Sequence, residues 1–221
     1  MIRYLLAALL ALVPLAARAQ TDQQTLVDRA TLAAQEMLQG PGAADARNLM
    51  RRARGVMICP RSFKVAFFIG GQGGGCVLIG RLQSGWTGPA FYTMGSGSFG
   101  LQIGLQDSET LLIVRTDNGL RALLNSHFKF GADAGVAVAT LGAGIGGATT
   151  AALRADIVTF SRARGLYVGV SLDGSVLSSD VDWDKAYYGQ DLLPQQIVLQ
   201  GQGNNPGDAP LRDVLARFSG G

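Results

Sequence analysis

Two periodicities divide this chain. Thr25 to Leu38 carry Leu26, Ala30, Ala33, Ala34, Met37 and Leu38 at helical spacing, and Gly40-Pro41 ends the run. A second short helix is expected from Asp45, a candidate N-cap, to Gly55. From Val56 the period falls to two. Phe63, Val65, Phe67 and Ile69 alternate with Lys64, Ala66 and Phe68 until the chain meets Gly70-Gly71. Cys76 to Arg81 and Trp86 to Met94 read as further strands, the latter interrupted by Pro89. Phe99, Leu101, Ile103 and Leu105 share a face, and Thr110 to Arg115 is a continuous apolar strand turned by Asp117-Asn118-Gly119. Leu166, Val168, Val170 and Leu172 then lead through Asp173-Gly174, a strong hairpin signal, into Ser175 to Ser178. These strands stand too close together for crossover helices, which excludes a parallel sheet.

The expected class is therefore α+β: a predominantly antiparallel sheet curled into a barrel or sandwich, with N-terminal helices and a C-terminal helix. Residues 20–54 supply the helices, 55–201 the sheet, and 202–221 a polar loop and the last helix. On that helix Leu211, Val214, Leu215 and Phe218 share a face behind Asp208, a candidate cap, so it is expected to dock on the sheet.

Residues 1–19 read as a leader that is removed: Arg3 is the charged start, Leu5 to Leu15 a short apolar core, and Ala17-Arg18-Ala19 a small-x-small cleavage site before Gln20. The apolar run is too short to span a bilayer, and no cysteine near the cut offers a lipoprotein anchor. An exported, periplasmic protein, soluble or peripheral to the membrane, is the expectation. The remaining 202 or so residues suffice for one well-packed domain.

Composition changes the picture in one respect: it removes catalysis. All 31 glycines lie at or after Gly40, and the chain has one histidine, two cysteines and no dense cluster of acids. The residues describe a non-enzymatic scaffold that binds through its surface, without metal or cofactor. GxGxxG occurs at Gly95-Gly97-Gly100 and Gly142-Gly144-Gly147, but the strand alternation after Gly100 and the missing acid beyond Gly147 argue against a nucleotide site. No nucleic-acid partner is expected. Asp180, Asp182 and Asp184 resemble half a calcium loop, but Trp183 stands in the middle and no Gly-then-Glu continuation follows. The uncharged stretch from Ala134 to Leu153 holds too many glycines and threonines for a spanning helix.

Charge is polarised along the chain. No acid falls between Asp45 and Asp107, where Arg47, Arg51, Arg52, Arg54, Arg61, Lys64 and Arg81 lie, while Asp173 to Asp191 form an acidic pole. Arg47, Arg51 and Arg54 stand at i, i+4 and i+7, so a helix through them presents all three on one face. Cys59 and Cys76 form either a disulfide, in an oxidising compartment, or two buried thiols; a metal site needs more ligands than these and a distant His127.

Seven blocks recur in order in one family: Ala53-Arg54-Gly55-Val56-Met57-Ile58, Gly70-Gly71-x-Gly73-Gly74, Trp86-Thr87-Gly88-Pro89-Ala90-Phe91, Gly100-Leu101-Gln102-Ile103-Gly104, Gly131-Ala132-Asp133, Ser161 through Gly165-Leu166-Tyr167 to Asp173-Gly174, and Tyr187-Tyr188-Gly189. Over about residues 25–202 the chain resembles the SYLF domain, also called the Ysc84-type actin-binding domain. The resemblance implies a lipid-binding module, since eukaryotic relatives bind phosphoinositide membranes and some bind actin filaments. It carries no attached SH3 or FYVE domain, and a bacterial host would exclude actin by compartment. Cys59 and Cys76 both depart from the family's usual residues, and their joint appearance in an exported member favours the disulfide.

The leading expectation is contact with anionic phospholipid through Arg47, Arg51, Arg52, Arg54, Arg61 and Lys64. Guanidinium groups grip phosphate bidentately while their stems rest on apolar surface. The alternatives are a carrier holding an acyl chain in an internal cavity lined by Phe67, Phe68, Phe99 and Phe128, or an envelope scaffold that binds a protein partner, not identified, through the acidic pole.

Overall fold

Helix α1, Asp22–Gln39, begins where the Thr21 hydroxyl accepts the Gln24 amide at 3.2 Å and stops where Gly40 donates to the Glu36 carbonyl. The computed structural model that places it describes residues 21–40, 42–67, 69–99, 104–131, 138–142, 154–164, 172 and 174–220. The expected leader, 1–19, and most of the apolar stretch 134–153 lie outside the described residues. The buried stripe of α1 is Val27, Ala30, Ala33, Ala34 and Leu38. Its alanines let the helix lie close against β1, Gly55–Phe67, and β2, Ile69–Leu82.

The second helix, α2, is shorter than its sequence pattern implies. It spans Ala44–Met50, and its N-cap position is Ala43, without a side-chain cap, in place of Asp45. It cannot reach Gly55 because the chain is already committed to the sheet: the Arg54 amide donates to the Val114 carbonyl at 2.7 Å.

Six further elements complete the sheet: β3 (Gly85–Phe99), β4 (Gly104–Val114), β5 (His127–Lys129), β6 (Val138–Gly142), β7 (Ile157–Arg164) and β8 (Val176–Ser179). Their order is β5-β8-β3-β2-β1-β4-β7-β6, and the sheet curls into a half-barrel. The α+β class with a curled, mainly antiparallel sheet is thus the observed one. One pair departs from the antiparallel expectation. β6 runs parallel to β7, because residues 143–156 give the chain enough length to cross over between them.

Local readings are corrected in three places. Gly70 to Gly75 form the interior of β2, in register with both β1 and β3, and Pro89 does not break β3, since it sits opposite Ile79. Asp117-Asn118-Gly119 is the first turn of α3, Asp117–Leu123, because the Thr116 hydroxyl accepts the Gly119 amide and caps a helix.

Consecutive buried runs (Val56 to Ile58, Val77 to Ile79, Leu111 to Val114) mean that the middle of the sheet is covered on both faces. Helices α4 (Val181–Tyr188), α5 (Pro194–Gln200) and α6 (Ala209–Ser219) complete the layer. α6 buries Leu211, Val214 and Leu215 against α1 and β3, with Phe218 packed at the margin. Asp208 precedes α6, where its carboxylate pairs with Arg212 at 2.7 Å in place of an amide cap.

Cys59 and Cys76 form a disulfide. They face each other one step beyond the Ile58–Val77 pair, with Cα atoms 4.2 Å apart. Immediately after Cys59 the register of β1 shifts by one against both neighbours, so Pro60 and Arg61 together oppose single positions at Gly75 and Glu109. Proline is accommodated there because a bulge needs no ladder amide at that point.

Candidate functional site: a basic rim at one end of the sheet

The ladder itself assembles a basic feature from residues distant in sequence. Gly55 is level with Gly80 and Val114, and Val114 with Ile157. The residues one step outside this line are Arg54, Arg81 and Arg115, side by side, followed by Asp156. Backbone bonds fix the row: Arg81 donates to the Arg54 carbonyl at 2.9 Å and Arg115 to the Asp156 carbonyl at 2.8 Å. Arg51 and Arg52, at the end of α2, Arg121, on α3, and Arg154 extend the rim.

These arginines divide by what they hold. Arg81 donates to the Met50 and Arg51 carbonyls at 3.3 and 2.9 Å and stacks 5.6 Å from the Trp86 ring, so its charge closes the C-terminal end of α2. Arg115 donates to the Ala155 carbonyl at 3.0 Å. Arg54 pairs with Asp117 at 3.4 Å, so the stretch without acids in sequence meets one in space. Arg51, Arg52 and Arg121 are exposed and have no ion-pair partner among the described residues.

The five arginines and one lysine singled out by the sequence are not one patch. Arg47 turns back to donate to the Leu38 carbonyl at 2.9 Å, tying α2 to the end of α1. With the helix ending at Met50, Arg47, Arg51 and Arg54 do not share a helical face. Arg61 sits on the β1 bulge, 6.0 Å from the Phe63 ring, and Lys64 stands three residues further, opposite Gln72 and Gln106. At the rise of an extended strand, Arg61 is roughly 20 Å from Arg54. Arg81, by contrast, belongs beside Arg51 and Arg54. Arg115, Arg121 and Arg154 carried no local signal, because only the strand register brings them to this end.

The acidic pole is largely consumed by the fold. Asp180 accepts the Trp183 amide at 3.2 Å, Asp184 is buried against Phe91, and Asp191 pairs with Lys185 at 2.7 Å. The phenyl ring of Phe128 packs edge-on to Phe130, 4.9 Å between centroids, and fills core. Phe68 lies outside the described residues.

A model of the Ysc84 family, described as Las17-binding protein actin regulator, matches residues 95–218, and the chain belongs to this family. It is similar to the human SH3 domain-containing YSC84-like protein 1, 27% identical over 177 residues, covering 79% of this chain and 51% of that protein. The Xenopus laevis protein of the same name is 27% identical over 183 residues, 81% of this chain and 54% of its own length. LAS seventeen-binding protein 3 of Saccharomyces cerevisiae is 25% identical over 174 residues, 77% of this chain and 37% of that one. The chain spans about half the length of the first two relatives. The names are those of binding proteins.

Proposed function

We propose that this protein is a non-enzymatic module that attaches reversibly to anionic phospholipid through the basic rim, after export to the periplasm. The observation that carries the reading is the row of Arg54, Arg81 and Arg115, with the exposed and unpaired Arg51, Arg52 and Arg121 standing outside it. The inner arginines keep the rim rigid, and the outer three are available to phosphate. Each basic group near an anionic bilayer contributes about 1 kcal/mol, screened beyond a Debye length of about 10 Å at 0.1 M salt.

Flotation with vesicles of phosphatidylglycerol or cardiolipin tests it. Binding at low salt and release as salt rises are expected, with about tenfold weaker binding for the combined Arg51→Gln, Arg52→Gln and Arg121→Gln variant. Equal binding to phosphatidylcholine vesicles, or an unaffected triple variant, overturns the reading. Because the family description names an actin regulator, filament co-sedimentation is run alongside. Capture by filaments but not vesicles would reassign the rim to actin. A mature N-terminus at Gln20 in the periplasmic fraction is the corresponding check on export.

A further inference from the structure

Away from the rim, a groove runs between α1 and the bulge of β1. It consists of two adjoining depressions of about 410 and 360 Å3 that share Arg29, Pro60 and Arg61. Such volumes fall within the range of small-molecule sites. One half is apolar, walled by Leu26 and Phe63 and floored by Gly73, Gly74 and Gly75. Its floor is necessarily bare backbone: a Cβ on Gly74 would stand 2.2 Å from the Arg61 carbonyl oxygen, and one on Gly75 would stand 2.9 Å from Leu26. The other half carries Glu36 and Glu109. Arg162 lies 3.3 Å from Glu36 and is in strand register with Glu109, so this half sets two carboxylates beside the two shared arginines and alternates in charge. Phe63 and Leu32 remain 43% and 60% exposed along the groove, large apolar surface that a folded domain ordinarily covers.

Along the groove the chemistry therefore runs apolar, then two arginines, then carboxylates. We propose that it holds one zwitterionic phospholipid molecule of the ethanolamine class, with the acyl chain over Gly73 to Gly75, the phosphate between Arg29 and Arg61, and the ammonium at Glu36 and Glu109. Arginine forks suit the phosphate, and their stems can lie along the chain beneath. A purely anionic lipid would place its headgroup against the carboxylates and is disfavoured. Arg61 stands roughly 20 Å along β1 from the rim, so this inference and the rim reading succeed or fail separately.

Calorimetric titration with lysophosphatidylethanolamine below its micelle concentration tests the proposal, with lysophosphatidylglycerol as comparison. Wild type is expected to bind the ethanolamine lipid about fivefold or more tightly than the glycerol lipid, and Glu36→Gln to erase that preference. Gly73→Leu is expected to fill the groove and weaken binding at least tenfold, because a Cβ there meets only the Met94 carbonyl oxygen, at 3.7 Å. A folded Gly73→Leu protein that binds like wild type overturns the proposal, as does wild type that does not bind or that binds both lipids alike. Should Gly73→Leu not fold, the paired Arg29→Gln and Arg61→Gln variant decides: a tenfold loss supports the site and unchanged binding refutes it.

Discussion

The carboxylate of Asp184 accepts the backbone N–H of Phe91 at 2.9 Å, and the two residues together close an edge of the sheet. β3 pairs with β8 only from Tyr92 onward, so the residues before it would otherwise present unpaired backbone. Helix α4 covers them. Asp180 donates its amide to the Phe91 carbonyl at 2.9 Å, Asp184 takes the Phe91 amide, and the Tyr188 hydroxyl donates to the Pro89 carbonyl at 2.8 Å. Side chains here stand in for a neighbouring strand.

Replacing Asp184 by alanine would orphan the buried Phe91 amide, a loss of about 1–3 kcal/mol before any cavity cost. Asp184→Asn keeps an acceptor in place and separates charge from hydrogen bonding. Burial raises the Asp184 carboxyl to about 7, with the nearby Asp180 adding to the rise and the Phe91 bond opposing it. The folded protein therefore holds this proton more tightly than the unfolded chain. Its contribution to stability is complete below about pH 4 and is lost as pH rises through about 7. Urea unfolding across pH 4–8 should show wild type losing stability toward pH 8 relative to Asp184→Asn. Parallel profiles would count against a buried, titrating carboxylate.

The Cys59–Cys76 disulfide joins adjacent strands just before the bulge. Closing a loop of about 18 residues is worth about 3 kcal/mol on the chain-entropy model. The double Cys59→Ala, Cys76→Ala variant should melt roughly 10 °C lower in a calorimetric scan. Both cysteines are fully buried, so mild reductant should act on the folded protein slowly. Rapid reduction without unfolding would contradict that burial.

Two glycines of the sheet separate close approach from simple composition. A Cβ on Gly80 would lie 2.1 Å from the Val198 carbonyl oxygen, so α5 would have to move, whereas a Cβ on Gly95 meets nothing within 4 Å. Gly80→Ala should cost about 2–3 kcal/mol. Gly95→Ala should be neutral or slightly stabilising, since it restricts the unfolded chain at a residue already extended. Similar melting temperatures for the two would remove the packing explanation.

Legibility in the sequence follows how local each determinant is. The stripes of α1 and α6 are one-helix patterns, and the structure buries most of the residues they indicate, leaving Leu26, Met37 and Phe218 partly buried. Asp173-Gly174 signals a turn, and Gly174 there takes up a positive φ of +79°. Asp117-Asn118-Gly119 carries the same signal, yet Thr116 caps it into a helix, so local turn chemistry yields to a competing cap. Glycine density between Gly70 and Gly75 looks like a bend, although Gly74 and Gly75 mark where the Arg61 backbone and α1 press on a strand. The basic rim was half legible. Arg51, Arg52 and Arg54 are neighbours in sequence, but Arg81, Arg115 and Arg121 join them only through strand register.

That register makes Arg81 and Arg52 a sharp contrast, although both are arginines in the same basic rim. Arg81 bonds two carbonyls at the end of α2 and stacks on Trp86, whose indole N–H in turn donates to the Ser219 hydroxyl at 3.1 Å. Removing its guanidinium frees the end of α2 from β2 and loosens the contact with α6. Arg52 is exposed and donates no side-chain bond among the described residues. Arg81→Gln should therefore cost about 1–2 kcal/mol, a charge-assisted pair of bonds discounted for partial exposure. Arg52→Gln should stay within about 0.5 kcal/mol. On anionic vesicles the ranking should invert, with Arg52→Gln weakening flotation more than Arg81→Gln at a temperature where both are folded. If Arg81→Gln lowers vesicle binding most while leaving the melting temperature unchanged, its guanidinium faces lipid and not the helix end.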